Sequence, residues 1–149
     1  MPPSPAAQLT SFIAKFTPAM AKQIRACRSA MRKILPTANE LIYDNYNFFV
    51  IGFGPTERPY DCILSLASNS KGVGLCFLYG AKLPDPHKLL QGSGNQTRFV
   101  RLDGAASLRK PAIRALIMAA KSRSRAPFPK SGGHKLIIRS ISPKQRPRR

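Results

Sequence analysis

Four short apolar runs, each bounded by turn-forming residues, restrict most of this chain to a sheet of neighbouring antiparallel strands. Asn47–Phe53 stops at Gly54-Pro55, and Tyr60–Ala67 is followed by Ser68-Asn69-Ser70-Lys71-Gly72. Val73–Tyr79 leads into a loop with Pro84 and Pro86, and Gln96–Leu102 follows Gln91-Gly92-Ser93-Gly94-Asn95. Runs of aromatic and aliphatic residues with such punctuation read as strands. Connections this short join antiparallel rather than parallel neighbours. Before the strands, Leu9, Phe12, Ile13 and Phe16 recur at helical spacing, which predicts a helix over 7–16. Pro18 and Pro36 frame a second helix with an apolar stripe of Met20, Ile24, Cys27, Met31, Ile34 and Leu35. Thr37 or Asn39 can cap a third, short helix over 38–45. A last helix, starting at 107 or 111 and ending near 122, buries Ile113, Leu116, Ile117 and Ala120, with Ser107 as a candidate cap. The sequence thus predicts an α+β domain over 7–122: an antiparallel sheet of about four to five strands, with N- and C-terminal helices packed on one face. Residues 123–149 read as a basic extension containing Pro127, Pro129 and Ser131-Gly132-Gly133, with a candidate edge strand at 135–142. From Pro143 onward only Pro, Lys, Gln and Arg occur, which predicts a disordered tail.

Charge is distributed as unevenly as hydrophobicity. The six acidic residues all lie between Glu40 and Asp103, and the formal net charge is +19. The flanks on either side of that stretch contain Lys and Arg but no acid. On the second helix Lys22, Arg25, Arg28 and Arg32 fall largely off the apolar stripe; on the last helix and just beyond it Lys110, Arg114, Lys121 and Arg125 line up beside the buried face. If both helices pack on the same side of the sheet, these eight residues form one cationic surface. Such a surface suits a polyanion, nucleic acid above all, held through its backbone without base readout. The absence of acids at i, i+4 leaves the charge unbalanced within each helix.

A second candidate site is the polar-aromatic cluster Glu40, Tyr43, Asp44, Asn45 and Tyr46. Glu40 and Asp44 share a face at i, i+4 and could bind a small ligand or a metal, with Arg58 or Arg98 as counter-ion. The plainer alternative is a helix-to-strand turn with packed tyrosines. Gly92-Ser93-Gly94 feeds a strand, not a helix, and reads as a structural turn, not a phosphate loop. Cys27, Cys62 and Cys76 are widely spaced within apolar stretches and read as buried free thiols. His87 and His134 have no Cys or carboxylate at metal spacing, and no nucleophile motif is present. The reading therefore leans away from an enzyme and assigns neither metal nor cofactor. No apolar run approaches a membrane span, and no signal-peptide core follows Met1, so a cytoplasmic location is expected.

The run Ala38–Asn47 (ANELIYDNYN) resembles one branch of the YdhG-like family, small bacterial domains without a known function. Leu83–Gly94 (LPDPHKLLQGSG), Arg98, and Leu108-Arg109-Lys110-Pro111-Ala112 are similar too, so the likeness covers about residues 8–122. The ending Lys-Gln-Arg-Pro-Arg-Arg also resembles tails of some members. The resemblance implies an α+β domain. Because one member has been described as a frataxin-like iron chaperone, it also implies iron binding as a rival function. Iron would need carboxylate oxygens, yet the first two helices contain none, and only Glu40 and Asp44, with Asp61 near, could serve.

Overall fold

The computed structural model describes residues 2–132 and 134–149. Two helices, α1 (Pro5–Ala14) and α2 (Pro18–Ile34), come first. Five strands follow: β1 (Asn39–Asp44), β2 (Phe49–Gly54), β3 (Leu64–Asn69), β4 (Gly72–Phe77) and β5 (Arg98–Leu102). A 3₁₀ turn (Ala105–Arg109), helix α3 (Pro111–Ser122) and a last strand β6 (Leu136–Ile141) complete the chain. Proline sits at the start of every helix, where its missing N–H has no intrahelical role. Ser4 and Thr17 cap α1 and α2 by accepting from Ala7 N (3.1 Å) and Met20 N (3.2 Å).

The class is α+β, but the sheet is larger than expected, and mixed. Its order is β5-β4-β3-β2-β1-β6; β1 to β5 pair antiparallel, whereas β6 runs parallel to β1 at the edge. After β5, at one edge, the chain passes through α3 before it reaches the other edge as β6. A crossover of that length permits a parallel strand.

The fifth antiparallel strand comes from a correction. Residues 38–45 do not form the short helix; Asn39–Asp44 is β1. Positions i and i+4 lie on one face in a helix and in a strand alike, so the Glu40–Asp44 spacing could not separate the two. The Leu41-Ile42-Tyr43 centre favours extension, and β1 has hydrogen-bonded partners on both sides. Asn39 caps nothing here: its Oδ1 accepts from Lys135 N (2.9 Å) and aligns β6 instead. Ser107 likewise stays in the 3₁₀ turn, accepting from Asp103 N (3.1 Å), while Lys110 precedes α3 without a side-chain cap.

One face of the sheet holds the main core. Phe49, Ile51, Phe53, Leu64, Leu66, Leu75 and Phe77 meet Ile24, Cys27 and Met31 of α2 and Ile113, Leu116 and Ile117 of α3. Phe12 and Phe16 both tilt against Phe49, with ring centroids 6.2 and 6.1 Å apart. All three helices contribute to this single core, so the helices do share one side of the sheet. Of the expected stripe of α2, Ile24, Cys27, Met31 and Leu35 are buried, Met20 and Ile34 are half-buried, and Ala21 joins them.

On the opposite face Cys62 lies over the β2 glycines. A methyl added at Gly54 would come within 2.8 Å of the Cys62 Cα, so this close approach requires glycine. Burial, and secondarily the Asp61 carboxylate, pushes the Cys62 thiol up from 9.0 to about 12. A raised folded-state pKa means that the folded chain keeps this proton after the unfolded chain has lost it. The contribution is complete below pH 9 and is lost as pH rises toward 12. Urea midpoints measured from pH 8 to 10.5 should therefore fall more steeply for the natural chain than for Cys62→Ala. Parallel slopes would exclude this account.

Candidate functional site

β1 carries two fully buried carboxylates to the helix-covered side of the sheet, with Ile42 between them. Each is met by cations from distant parts of the chain. Arg28 of α2 grips Glu40 with a two-pronged bond, Nε to Oε2 at 2.7 Å and Nη2 to Oε1 at 2.8 Å. Arg32 stands 3.9 Å from the same carboxylate. His134 reaches it from the approach to β6, with Nε2 3.2 Å from Oε1 and Nδ1 2.8 Å from the Ala38 carbonyl. Asp44, at the other end of β1, accepts from Lys15 Nζ (2.6 Å) and from Arg148 Nη2 (2.9 Å). The counter-ions are therefore not Arg58 or Arg98. Arg58 pairs with Asp61, and Arg98 donates to the Gly94 and Thr97 carbonyls.

The remaining members of the Glu40–Tyr46 cluster point elsewhere. Tyr43 lies on the opposite face, where burial raises its phenol, a nearby Cys62 adds to this, and Arg139 opposes it. Asn45 Oδ1 accepts from Ser140 Oγ (2.7 Å), and Tyr46 is exposed beneath the Arg146 guanidinium, 5.6 Å from its ring centre. The five residues thus divide between two faces and a turn, and do not converge on a shared cavity. Among the described residues no group of three or more His, Cys, Asp or Glu could hold a metal ion.

The eight nominated cations also separate. Arg28 is consumed by Glu40, and Arg32 leans toward it. Lys121 lies over Phe128 and Arg125 over Tyr79, 5.7 and 5.4 Å from the ring centres. Lys22, Arg25, Lys110 and Arg114 remain exposed, and none makes an ion pair among the described residues.

What sequence reasoning missed is where the free charge meets. The Ala105–Arg109 turn packs between α2 and α3. A groove of about 310 Å³ opens there, floored by Ala30, Ile34 and Leu108 and bordered by Lys33, Arg109 and Arg114. Lys33 is one of the off-stripe cations that the sequence shows on α2 but is not among the eight, and Arg109, which precedes α3, is not among them either. No acidic side chain borders this groove. Asp61, a third buried carboxylate, is held below the usual carboxylate range by the Thr56 hydroxyl (2.7 Å) and by Arg58 (3.1 Å).

No family model, no curated protein and no solved structure matches the chain. Among the described residues no helix is long and apolar enough to cross a membrane.

Proposed function

We propose that the protein is a non-enzymatic binding module for a polyanion such as nucleic acid, and that the groove between α2 and α3 is its centre. The observation that carries this reading is the meeting of Lys33, Arg109 and Arg114 around one depression with no carboxylate on its border. Two of these are arginines, whose planar fork matches phosphate oxygens two at a time. Lys110 and the uncapped first turn of α3 lie beside them and add N–H donors and a favourable dipole for an anion. Lys22 and Arg25 extend the charge along the exposed side of α2. Small residues, Ala26, Ser29 and Ala30, leave room for a backbone to approach.

This narrows the eight-residue surface. Arg28 and Arg32 are counter-ions of Glu40 and belong to the fold, while Lys121 and Arg125 lie toward the far end of α3. Kinship with the YdhG-like domains remains part of the proposal, resting on the residues quoted for it. Its iron-binding corollary gains nothing from the geometry, since both β1 carboxylates are already occupied by cations.

The test is a filter-binding titration against duplex DNA over a range of salt. The three groove cations should contribute about −3 to the log–log slope, at roughly −0.9 per phosphate, and Lys22, Arg25 and Lys110 should steepen it further. Absence of binding at low salt would remove the proposal. A salt-independent affinity would move it away from phosphate contacts.

A further inference from the structure

The segment after β6 does not extend into solvent as its composition predicts. Ser142 N donates to the Asp44 carbonyl (2.9 Å) and Arg146 N to the Tyr46 carbonyl (2.9 Å). Gln145 bridges the same corner, donating to the Asp44 carbonyl (2.8 Å) and accepting from Lys15 Nζ (2.9 Å). At its centre Arg148 is buried, 5% exposed, although the residues on both sides of it are exposed. One guanidinium nitrogen, Nη2, donates to Asp44 Oδ1 (2.9 Å) and to the Asn45 carbonyl (2.6 Å), and the guanidinium carbon sits 5.9 Å from the centre of the Phe16 ring.

We infer that the recess between α1 and the end of β1 is a binding site for an arginine side chain, filled in this chain by its own Arg148, and that an arginine-bearing peptide can exchange with the 143–149 segment. The recess has the three features that select a guanidinium over an ammonium. These are a buried carboxylate, a backbone carbonyl beside it, and an aromatic face to stack on. Lys15, at the end of α1, holds the other carboxylate oxygen from outside the segment, and donates to Gln145 within it as well.

Two observations make Arg148 an exchangeable occupant and not a permanent part of the core. Its Nε and Nη1 are buried without a hydrogen-bond partner among the described residues, so it enters end-on and uses one of its nitrogens there. An arginine approaching along a different backbone path can present both prongs. Apart from Arg148 the segment is held by edge contacts only, the backbone and Gln145 bonds and the Arg149 Nε–Lys15 carbonyl bond (3.2 Å): Pro143, Lys144, Arg146, Pro147 and Arg149 are exposed, and no apolar side chain other than proline occurs among them. A stretch held by one buried side chain and a few edge hydrogen bonds opens at far lower free energy than the sheet it rests on.

Methylguanidinium is the probe. Arg148→Ala in the full chain should lower the melting temperature, and low millimolar methylguanidinium should restore it in a saturable way while leaving the natural chain unchanged. Methylammonium at the same concentration should restore little. Equal shifts in both chains, or none in the variant, would overturn the inference. Should Arg148→Ala fail to fold, Arg148→Lys keeps a cation at Asp44 without the planar fork. A labelled peptide with the sequence of residues 142–149 should then bind Arg148→Lys at least tenfold more tightly than it binds the natural chain. Equal affinities would overturn the inference as well.

Discussion

Replacing Glu40 with alanine is expected to destabilise the domain by about 3 kcal/mol, the lower end of what losing one partner of a buried ion pair costs. The loss is not that of one salt bridge. Glu40 is the shared counter-ion of Arg28 and Arg32 of α2, and the His134 ring meets it from the approach to β6. Without it the half-buried Arg28 guanidinium keeps its desolvation penalty and loses both short bonds. Asp44, the other buried carboxylate of β1, lies at the opposite end of the strand with its own cations and offers no substitute. Urea denaturation followed by circular dichroism measures the difference. The paired replacement Glu40→Leu with Arg28→Met should recover much of the stability, because it removes the buried carboxylate together with its closest cation and leaves Arg32, which is exposed to solvent, as the remaining charge. A single Glu40→Ala variant within 1 kcal/mol of the natural chain would show that the cluster is mere surface chemistry, at odds with a carboxylate of zero exposure.

The placement of Glu40 also explains which parts of the structure could be read in the sequence. Helices α1, α2 and α3 and strands β2 to β5 follow from local periodicity and punctuation, because each buries one stripe or one face; β3 alone is displaced, starting at Leu64 after a 3₁₀ turn at Pro59–Asp61 and not at Tyr60. β1 failed for a geometric reason: an acidic pair four residues apart shares a face at either period. Its partners were unreadable for another. Arg28 on an otherwise cationic helix looks the same in sequence whether it faces water or a carboxylate twelve positions later. The parallel pairing of β6 with β1 depends on strands nearly a hundred residues apart, beyond any local pattern. The segment after Pro143 illustrates the limit of composition. A run of Pro, Lys, Gln and Arg cannot build a core, and it builds none; it nevertheless docks through one arginine because a buried carboxylate lies within reach. The candidate groove was half legible. The two basic helices stood out, but the contact between them runs through the Ala105–Arg109 turn, which selects Lys33 and Arg109 and removes Arg28.

Reversing the charge of the groove, with Lys33, Arg109 and Arg114 all changed to Glu, should abolish measurable DNA binding at physiological salt. Each side chain is exposed and makes no ion pair among the described residues, so the substitutions leave the core and the Glu40 cluster intact. Neutralising the three alone would remove their counterion release, a change in salt slope of about 3. Reversal adds like-charge repulsion at the point where the phosphates would sit, and it opposes the dipole at the start of α3. A charge-matched control separates a site from a bulk field. Lys71, Lys88 and Lys130 are also exposed cations but lie outside the groove; changing all three to Glu alters net charge by the same amount. If binding depends on the groove, the control keeps most of its affinity and most of its salt slope. If both triple variants lose affinity equally, attraction arises from the overall charge of +19 and not from any site. If the groove variant binds as the natural chain does, the proposed interface is wrong. Unfolding midpoints of both variants, taken beside the binding curves, distinguish lost contacts from lost structure.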